Sequence, residues 1–474
     1  MTPVDGRPLG LYERFSLARS NSGQAPIVAF TAVLPAPAST QAVQGAVDSL
    51  LARFPLLRCT IADSATTRPR YLHREELSAA QIVVEGSVAP EEGPQAALEA
   101  ALEAGRVCDV EQGPLWRVWV SREGNKQRLT LAVHHTVCDG TATRNLFSEL
   151  LRLIKSPEPV DNDAAVVALC PSLEDTVHCR LSPLEVAKVV LDEVVVPNLP
   201  SFLRPAPPPL TLLNPPLIPP GPQPSTLRLL FLAPSVVSGL KTAGKSHGVN
   251  TLHPILYTAA LAALSSSSPD TSSNSQIVGS TPFSCRLPSH PLTTGNYVAG
   301  YTASKPLPAL LPGRFWSFCA EYGRTISAPE TKQRAQRRMG MLGFIPDGEL
   351  PAGEGKPART KWEGWVEEQL EKNRFGETFE VSNLGVLPST GWEEEGLEEV
   401  FWCQTGSAFV AAFELNPVAV RNGSLTFTLS YRKNAIAEET VDRFWTSYER
   451  LLKRIAENGI DEKATFQDLK TVSN

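Results

Sequence analysis

The sequence lacks the features that mark several large classes of protein. Its 474 residues contain neither a Walker loop nor a GxGxxG pattern, so nothing indicates a nucleotide-binding site. No apolar run approaches the roughly 18 residues of a membrane-spanning helix, because the most apolar candidate, Leu181–Leu203, contains charged residues and prolines. The N-terminus lacks the basic and then apolar residues of a secretory signal. A net charge of -6 gives no support for nucleic-acid binding.

Cysteine is present without the spacing that indicates a metal site. The eight cysteines are scattered along the chain and none forms a CxxC pair, so the sequence predicts no metal site. Scattered cysteines in a chain without a secretory signal are typical of a reducing compartment. We therefore expect a cytoplasmic protein without a bound cofactor.

The length and one proline-rich stretch predict two domains. A chain of 474 residues exceeds the usual size of a single hydrophobic core. Prolines dominate the stretch that includes PAPPPLTLLNPPLIPPGPQP, and neither a helix nor a central strand can run through them. We predict an N-terminal lobe over residues 1–195, a proline-rich linker over 196–225 and a C-terminal lobe over 226–474. An SH3-type proline ligand is the alternative function of the linker.

The rest of the chain is organised around residues 128–154. A short apolar run, Leu129–Val133, is typical of a buried strand, and apolar residues at helical spacing predict a helix over 141–154. Between them lies HHTVCDG. Neighbouring strand residues point to opposite faces, so only one of His134 and His135 can face a given cavity. Asp139 either caps the helix or turns inward toward a cationic partner.

HHTVCDG resembles the HHxxxDG signature of the CoA-dependent acyltransferase superfamily. That superfamily includes chloramphenicol acetyltransferase, plant BAHD enzymes, fungal alcohol acetyltransferases, wax ester synthases and nonribosomal peptide condensation domains. Two other pieces carry the likeness, RFPLLRCTI at residues 53–61 and GPLWR at 113–117. The DFGWG of the plant enzymes is absent. The sequence is therefore most similar to the fungal alcohol acetyltransferases, with BAHD-like and condensation-domain-like enzymes beside them.

The resemblance implies an α/β (α+β) fold. Two related chloramphenicol-acetyltransferase-like lobes, each a mixed sheet with helices, would enclose a solvent channel. The order of the chain agrees, since a strand over residues 226–232 and helices over 234–247 and 251–264 repeat the plan of the first half.

The resemblance also implies roles for the motif residues. His135 would be the general base and His134 a supporting residue, while Gly140 closes the motif and lets backbone or ligand approach closely. Asp139 would orient the loop through a bidentate salt bridge to Arg286, which occurs in STPFSCRLP. A surface arginine at a strand end is the alternative for Arg286.

Further candidates lie in the second half of the chain. Asn296 in TTGNYVAGY resembles the Gly-Asn that follows the arginine in the family, and Ser382 and Asn383 in FEVSNLGVLPS resemble a Ser-Asn element near the reacting carbonyl. All three are candidates to stabilise an oxyanion or bind substrate. A structural turn is the alternative for Asn296, and a β-bulge with local side-chain bonds for the pair. The acidic run Glu393–Glu399 predicts an exposed loop.

By this resemblance the protein is an O-acyltransferase. It would move an acetyl or other short acyl group from acyl-CoA, its co-substrate, to the hydroxyl of a secondary-metabolite or lipid-like acceptor. The thiol of a thioester leaves readily, so no covalent enzyme intermediate is needed. We expect a monomer whose partners are acyl-CoA and a small-molecule alcohol, with no nucleic acid and no transmembrane segment.

Other functions remain open at this point. A condensation-type enzyme would take its acyl group from an acyl carrier protein and form an ester or an amide. A cyclase-like reaction would use His135 as a base without an acyl donor, and a non-enzymatic binding protein would use neither. A dyad of Cys138 and His135 is the alternative to base catalysis.

Overall fold

A computed structural model of the chain describes residues 6–86, 93–158, 168–191, 195–196, 199–200, 203, 210, 224–267, 275–287, 294–353, 358–372 and 374–470. The elements of these residues form two lobes, each a mixed sheet with helices packed against it. The two-lobed α/β fold expected from the sequence is therefore confirmed. The predicted linker, 196–225, lies largely outside the described residues.

The secondary structure up to residue 200 follows the sequence patterns closely. The helix predicted over 141–154 spans Gly140–Lys155, and the predicted strand Leu129–Val133 lies within Lys126–His134. The elements in chain order are α1 (Leu11–Asn21), β1 (Ile27–Leu34), α2 (Thr40–Arg53), a 3-10 turn (Pro55–Arg58), β2 (Cys59–Ala62), β3 (Arg70–His73), α3 (Ala79–Ile82), β4 (Val83–Glu85), α4 (Gly93–Arg106), β5 (Trp116–Glu123), β6 (Lys126–His134), α5 (Gly140–Lys155), α6 (Leu173–Thr176) and α7 (Pro183–Val190).

The second part of the chain contains both the predicted elements and several that were not predicted from the sequence, among them the helices Phe315–Ser327 and Lys361–Glu371. The elements are β7 (Ser225–Leu232), α8 (Pro234–Ser246), α9 (Leu252–Ser267), β8 (Gln276–Ser284), β9 (Val298–Pro306), α10 (Leu307–Leu310), α11 (Phe315–Ser327), α12 (Pro329–Met339), a 3-10 turn (Gly340–Phe344), β10 (Glu349–Leu350), β11 (Arg359–Thr360), α13 (Lys361–Glu371), β12 (Glu377–Val381), β13 (Glu398–Gln404), β14 (Ala411–Ala419), β15 (Leu425–Arg432), α14 (Glu438–Glu457) and α15 (Phe466–Lys470).

The two large sheets have different strand orders. The first has the order β13-β1-β6-β5-β4, and the second has the order β7-β15-β14-β12-β8-β9. In the first sheet only β4 and β5 pair in parallel, whereas in the second β12 lies parallel to both of its neighbours. Helices α2 and α5 contribute to the core on one face of the first sheet, and α9 and α14 to the core of the second. No helix among the described residues is both long and apolar enough to cross a membrane.

One strand of the first sheet comes from the second half of the chain. After β12 the chain crosses to the first lobe, forms β13 antiparallel to β1 and returns as β14. The acidic run Glu393–Glu399 overlaps this strand, so the exposed-loop prediction is wrong at its C-terminal end. Glu399 has a positive φ of 49° and pairs with the buried guanidinium of Arg128 at 2.5 Å. Glu398 and Glu399 are the first residues of this strand, and their charge led to the loop prediction. The next residues of the strand, from Val400 to Cys403, are buried.

Candidate active site

The HHTVCDG segment joins β6 to α5 and is held by a segment from the second half of the chain. Gly295 donates its N–H to the carbonyl of Val137 at 2.6 Å, and its own carbonyl accepts from the N–H of Asp139 at 3.2 Å. Cys138 and Gly295 thereby form a parallel β-bridge. Because the bridge joins residues that are far apart in the sequence, it fixes the motif loop against the second lobe.

His134 has both ring nitrogens in hydrogen bonds. The N–H of Thr136 donates to Nδ1 at 3.2 Å, so Nδ1 carries no proton. The proton on Nε2 then points to Oγ of Ser20 at 2.6 Å, and that hydroxyl donates to the carbonyl of Ser16. Burial lowers the pKa of His134 to about 3. The ring is a neutral, fully satisfied group within the fold.

His135 is held at one ring nitrogen. Its own backbone carbonyl lies within hydrogen-bonding reach of the ring, and the same carbonyl accepts from Nδ2 of Asn296 at 2.7 Å. Nδ2 of Asn296 also lies 2.9 Å from Nδ1 of His135. With the ring proton on Nδ1, the carbonyl of His135 accepts from Nδ1–H of the ring and from Nδ2–H of Asn296. The lone pair of Nε2 is then not used by these contacts. Nε2 forms no hydrogen bond within the described ranges.

The surroundings of His135 keep its imidazole neutral. Burial lowers the pKa of the ring to about 4, Asp139 raises it and Arg19 lowers it further. The ring of Tyr12 packs edge-on against the imidazole, with 5.8 Å between the centroids. A neutral imidazole with a free ring nitrogen is able to accept a proton.

Asp139 has the two contacts that the sequence left as alternatives. Its Oδ1 accepts from the N–H of Ala142 at 2.8 Å and so caps α5, while its Oδ2 accepts from the N–H of Tyr297 at 2.8 Å. Nη1 of Arg286 lies 2.9 and 2.7 Å from the two oxygens. Burial raises the pKa of Asp139, but Arg286 and the two backbone donors outweigh it and hold the pKa below its usual value.

The contact between Asp139 and Arg286 differs from the two parallel bonds expected from the resemblance. One guanidinium nitrogen, Nη1, contacts both carboxylate oxygens, and Nη2 instead donates to the carbonyl of Gly295 at 2.9 Å. Both side chains are almost fully buried. Arg286 therefore binds the motif carboxylate and the backbone of the segment that pairs with the motif loop.

Asn296 is buried against His135, with only 3% of its surface exposed. Its Nδ2 is directed at His135, and within the described residues its Oδ1 has no hydrogen-bond partner. One N–H of this amide is used by the carbonyl of His135. Asn296 thus contacts both the ring and the backbone of His135.

Ser382 and Asn383 follow directly after β12. The N–H of Ser382 donates to the carbonyl of Leu415 at 2.8 Å, so the ladder of the second sheet extends one residue beyond the strand. The side chain of Asn383 accepts from the N–H of Gly385 at 2.9 Å, which is a local turn contact. In the described part of the chain, neither side chain forms a hydrogen bond with His134 or His135.

The segment after Ser382 nevertheless reaches the motif loop. The guanidinium of Arg144 on α5 donates to the carbonyl of Leu384. A Cβ on Gly140 would lie 3.1 Å from Cδ2 of Leu384, so the glycine of the motif permits a close approach of the crossing segment. Ser382 therefore lies two residues from a contact with the motif.

Cys138 is fully buried within the motif. Burial raises the pKa of its thiol, and the neighbouring carboxylate of Asp139 raises it further. A protonated thiol is a poor nucleophile, so the geometry does not favour a cysteine–histidine dyad.

The sequence analysis missed the contribution of α1 to the site. Tyr12 contacts His135, Ser20 bonds His134, and the charge of Arg19 acts on both rings. A short segment with three polar residues on one helix gives no pattern by itself. The sequence feature that could have indicated this helix is the pair Arg19 and Ser20 next to apolar residues such as Leu17, which is buried in the structure.

Comparison with known proteins supports the resemblance. Residues 22–159, which include the HHTVCDG segment, match the family model described as Condensation domain. No curated protein matches the sequence. The chain is therefore similar to this family over the segment that contains the motif.

Solved structures extend the likeness over the whole chain. The epimerization domain from the third module of tyrocidine synthetase B is 13% identical, with a TM-score of 0.60 over 97% of this chain and 98% of that one. The first condensation domain of the calcium-dependent antibiotic synthetase, in complex with a substrate analogue, is 14% identical, with a TM-score of 0.61 over 98% of both chains. Polyketide synthase associated protein 5 from Mycobacterium tuberculosis is 14% identical, with a TM-score of 0.61 over 97% of this chain and 100% of that one. These similarities confirm the fold.

Removal of either member of the buried pair is expected to destabilise the protein. Asp139→Ala or Arg286→Ala leaves a buried charge without its partner, which costs about 3 to 5 kcal/mol. Urea unfolding should show this loss for both variants. The matched control is Lys126→Ala, which removes an ion pair whose side chains are 57% and 55% exposed and should cost less than about 1 kcal/mol. Parent-like unfolding of both site variants would contradict a stabilising role for the pair.

Proposed function

We propose that this protein transfers an acyl group from a thioester to the hydroxyl of a small molecule, with His135 as the general base. The observation that carries the proposal is the state of this ring. It lies in the HHxxxDG loop, Nδ1 faces its own carbonyl and Asn296, and Nε2 has no hydrogen bond within the described residues.

In the proposed reaction one ring nitrogen moves one proton. The acceptor oxygen attacks the thioester carbonyl while Nε2 of His135 takes its proton. The tetrahedral intermediate then collapses, the carbon–sulfur bond breaks, and the same nitrogen gives the proton to the departing sulfur. The pair of Asp139 and Arg286 keeps the loop in place and takes no proton. No covalent intermediate on the protein is needed.

Ser382 is the proposed donor to the oxyanion. The residue is 8% exposed, its hydroxyl has no hydrogen bond in the described part of the chain, and it belongs to the segment that contacts Gly140. A single donor of this kind is worth roughly 3 kcal/mol in the transition state. Asn383 is the second candidate, since its Oδ1 is engaged in a turn while its Nδ2 is not.

The proposed donor is acyl-CoA carrying an acetyl or other short acyl group, and the proposed acceptor is a secondary-metabolite or lipid-like alcohol. We further propose a cytoplasmic monomer that has no bound cofactor. A donor bound to an acyl carrier protein is the second candidate, since residues 22–159 match the Condensation family and the whole chain is similar to a condensation domain. The product would then be an ester or an amide. A reaction without an acyl donor is the third, since a protein of this fold is an epimerization domain.

Replacement of His135 is expected to abolish most of the activity without unfolding the protein. His135→Ala should lower kcat/KM by about two to four orders of magnitude, which is the usual contribution of a general base. The measurement is thiol release from the donor in the presence of acceptor, with the melting temperature followed alongside. His178→Ala, which removes an exposed histidine outside the site, should behave like the parent. Near-normal turnover of His135→Ala would disprove the base assignment.

The pH dependence of the parent enzyme should reflect the lowered pKa of His135. The base is active when unprotonated, and its pKa is lowered to about 4 from 6.5, so kcat/KM should remain high as the pH falls through 6.5 and should fall only near pH 4. Circular dichroism at each pH ensures that the protein remains folded. A decline centred near pH 6.5 that persists in Glu380→Gln, which removes another group able to titrate near pH 7, would contradict the expectation.

The two donor classes can be separated directly. The same short acyl group is offered on CoA and on a phosphopantetheinylated carrier protein, and thiol release is followed with and without an alcohol acceptor. Acyl-CoA dependence predicts acceptor-dependent release of CoA. Thiol release from the acylated carrier protein, with none from acyl-CoA, would overturn the CoA proposal and favour the condensation-type reaction.

A further inference from the structure

A row of polar side chains crosses the second sheet on the face opposite its apolar core. Residues in register on neighbouring strands form it, and the parallel pairing of β12 with β14 brings two carboxyl groups side by side. The row consists of Thr302, Ser280, Glu380, Glu414 and Ser430 on β9, β8, β12, β14 and β15. Side chains alternate across a strand, so the flanking residues Phe379 and Phe413 point into the core instead.

This face is directed toward the first lobe. Gln404, at the end of β13, donates to Oε1 of Glu380 at 2.7 Å and to Oδ1 of Asn416 at 3.3 Å. Ser382 follows Glu380 by two residues along the same strand direction, so alternation places it on the same face, about 7 Å along the chain. The two carboxyl groups therefore belong to the same side of the sheet as the proposed oxyanion donor.

Glu414 is buried without a complete set of partners. Only 6% of its surface is exposed, and its Oε2 has no hydrogen bond to any residue that the structure describes. The neighbouring amide of Asn416 donates to the backbone carbonyl of Glu414 and to two hydroxyls, and not to the carboxyl group. An unpaired buried polar atom costs about 1 to 3 kcal/mol of stability. The unpaired Oε2 of Glu414 therefore needs a physical explanation.

The groups that face this pair from the first lobe connect it to His135. Arg19 and Tyr12 on α1 both interact electrostatically with Glu380 and Glu414. Tyr12 also packs on the ring of His135, and the buried Nε of Arg19 has no hydrogen-bond partner in the described part of the chain. Helix α1 therefore carries side chains that act on both the imidazole of His135 and the carboxyl pair.

Carboxyl groups outnumber cations at this place. Glu377 lies on the same strand and accepts from the hydroxyls of Ser280 and Thr302, while Arg19 is the guanidinium that acts on the pair. Burial raises the pKa of Glu380 to about 7 and that of Glu414 well above its usual value, while Glu377 raises the pKa of Glu380 further and Glu380 that of Glu414. A positive group bound here would favour the charged form of both carboxyl groups.

The chemistry of the ligand follows from these contacts. Within the described ranges, no three His, Cys, Asp or Glu side chains are grouped to hold a metal ion. A donor that carries positive charge suits an unpartnered carboxyl oxygen beside a second carboxyl group, and a protonated amine supplies three N–H donors and one charge.

We propose that Glu380 and Glu414 form a subsite for a protonated amino group of the acceptor. The acceptor is then an amino alcohol, whose ammonium group binds the carboxyl pair while its hydroxyl lies at His135. This inference rests on the proposed acyl transfer for its last step only, since binding of the amino group requires no reaction.

Calorimetry with primary alkylammonium ions and with the alcohols of the same chain lengths tests the subsite in the absence of any acyl donor. The ammonium ion should bind at one site per chain and at least about tenfold more tightly than the matching alcohol, as expected for one charge-assisted hydrogen bond. Glu414→Gln and, separately, Glu380→Gln should remove this preference. Glu439→Gln, which neutralises an exposed carboxylate on α14, should retain it.

The possible results separate the subsite from the reaction. Equal binding of ions and alcohols, or a preference that survives in both Glu414→Gln and Glu380→Gln, would overturn the subsite and leave the acyl-transfer proposal unaffected. His135→Ala should keep the preference while losing turnover. If the parent transfers no acyl group but binds ammonium ions as described, the reaction is wrong and the subsite is retained.

Discussion

The buried pair of Asp139 and Arg286 is the contact on which the site depends. One carboxylate caps α5, accepts from the backbone of Tyr297 and neutralises a guanidinium, so three segments of the chain meet at a single side chain. The guanidinium in turn binds the carbonyl of Gly295. Because these contacts fix residues 294–297 against the motif loop, the next side chain in that segment, Asn296, reaches the imidazole of His135.

The two histidines show how local geometry gives neighbouring residues two different hydrogen-bond environments. Both ring nitrogens of His134 form hydrogen bonds within the first lobe. In the ring of His135 only Nδ1 has such contacts among the described residues. Alternation along β6 makes this division possible, because consecutive side chains point to opposite faces. The contact with Asn296 crosses between lobes, so the orientation of the imidazole depends on how the lobes are joined.

The sequence predicted the parts of the site that are local in the chain. The HHxxxDG spacing located the histidines and Asp139, and the helical periodicity located α5. The partners of these residues follow from pairing over long distances, such as Val28 with Gln404, and periodicity contains no information about them. Glu380 and Glu414 carried a weak signal, since each occurs as the one charged residue in a Phe-Glu-aliphatic triplet of an apolar strand. That pattern indicates a polar residue facing inward but does not indicate that two such strands are neighbours.

The crossing strand β13 has a consequence for synthesis of the protein. In the first lobe, β1 pairs with β6 on one side and with β13 on the other. A nascent chain that has emerged only through α5 would have every other strand of this sheet, but the backbone N–H and C=O groups along one side of β1 would have no partner. Until residue 404 leaves the ribosome, that open edge would be available to pair with any other extended chain. The edge of the first sheet is therefore covered only when most of the second lobe has been synthesised.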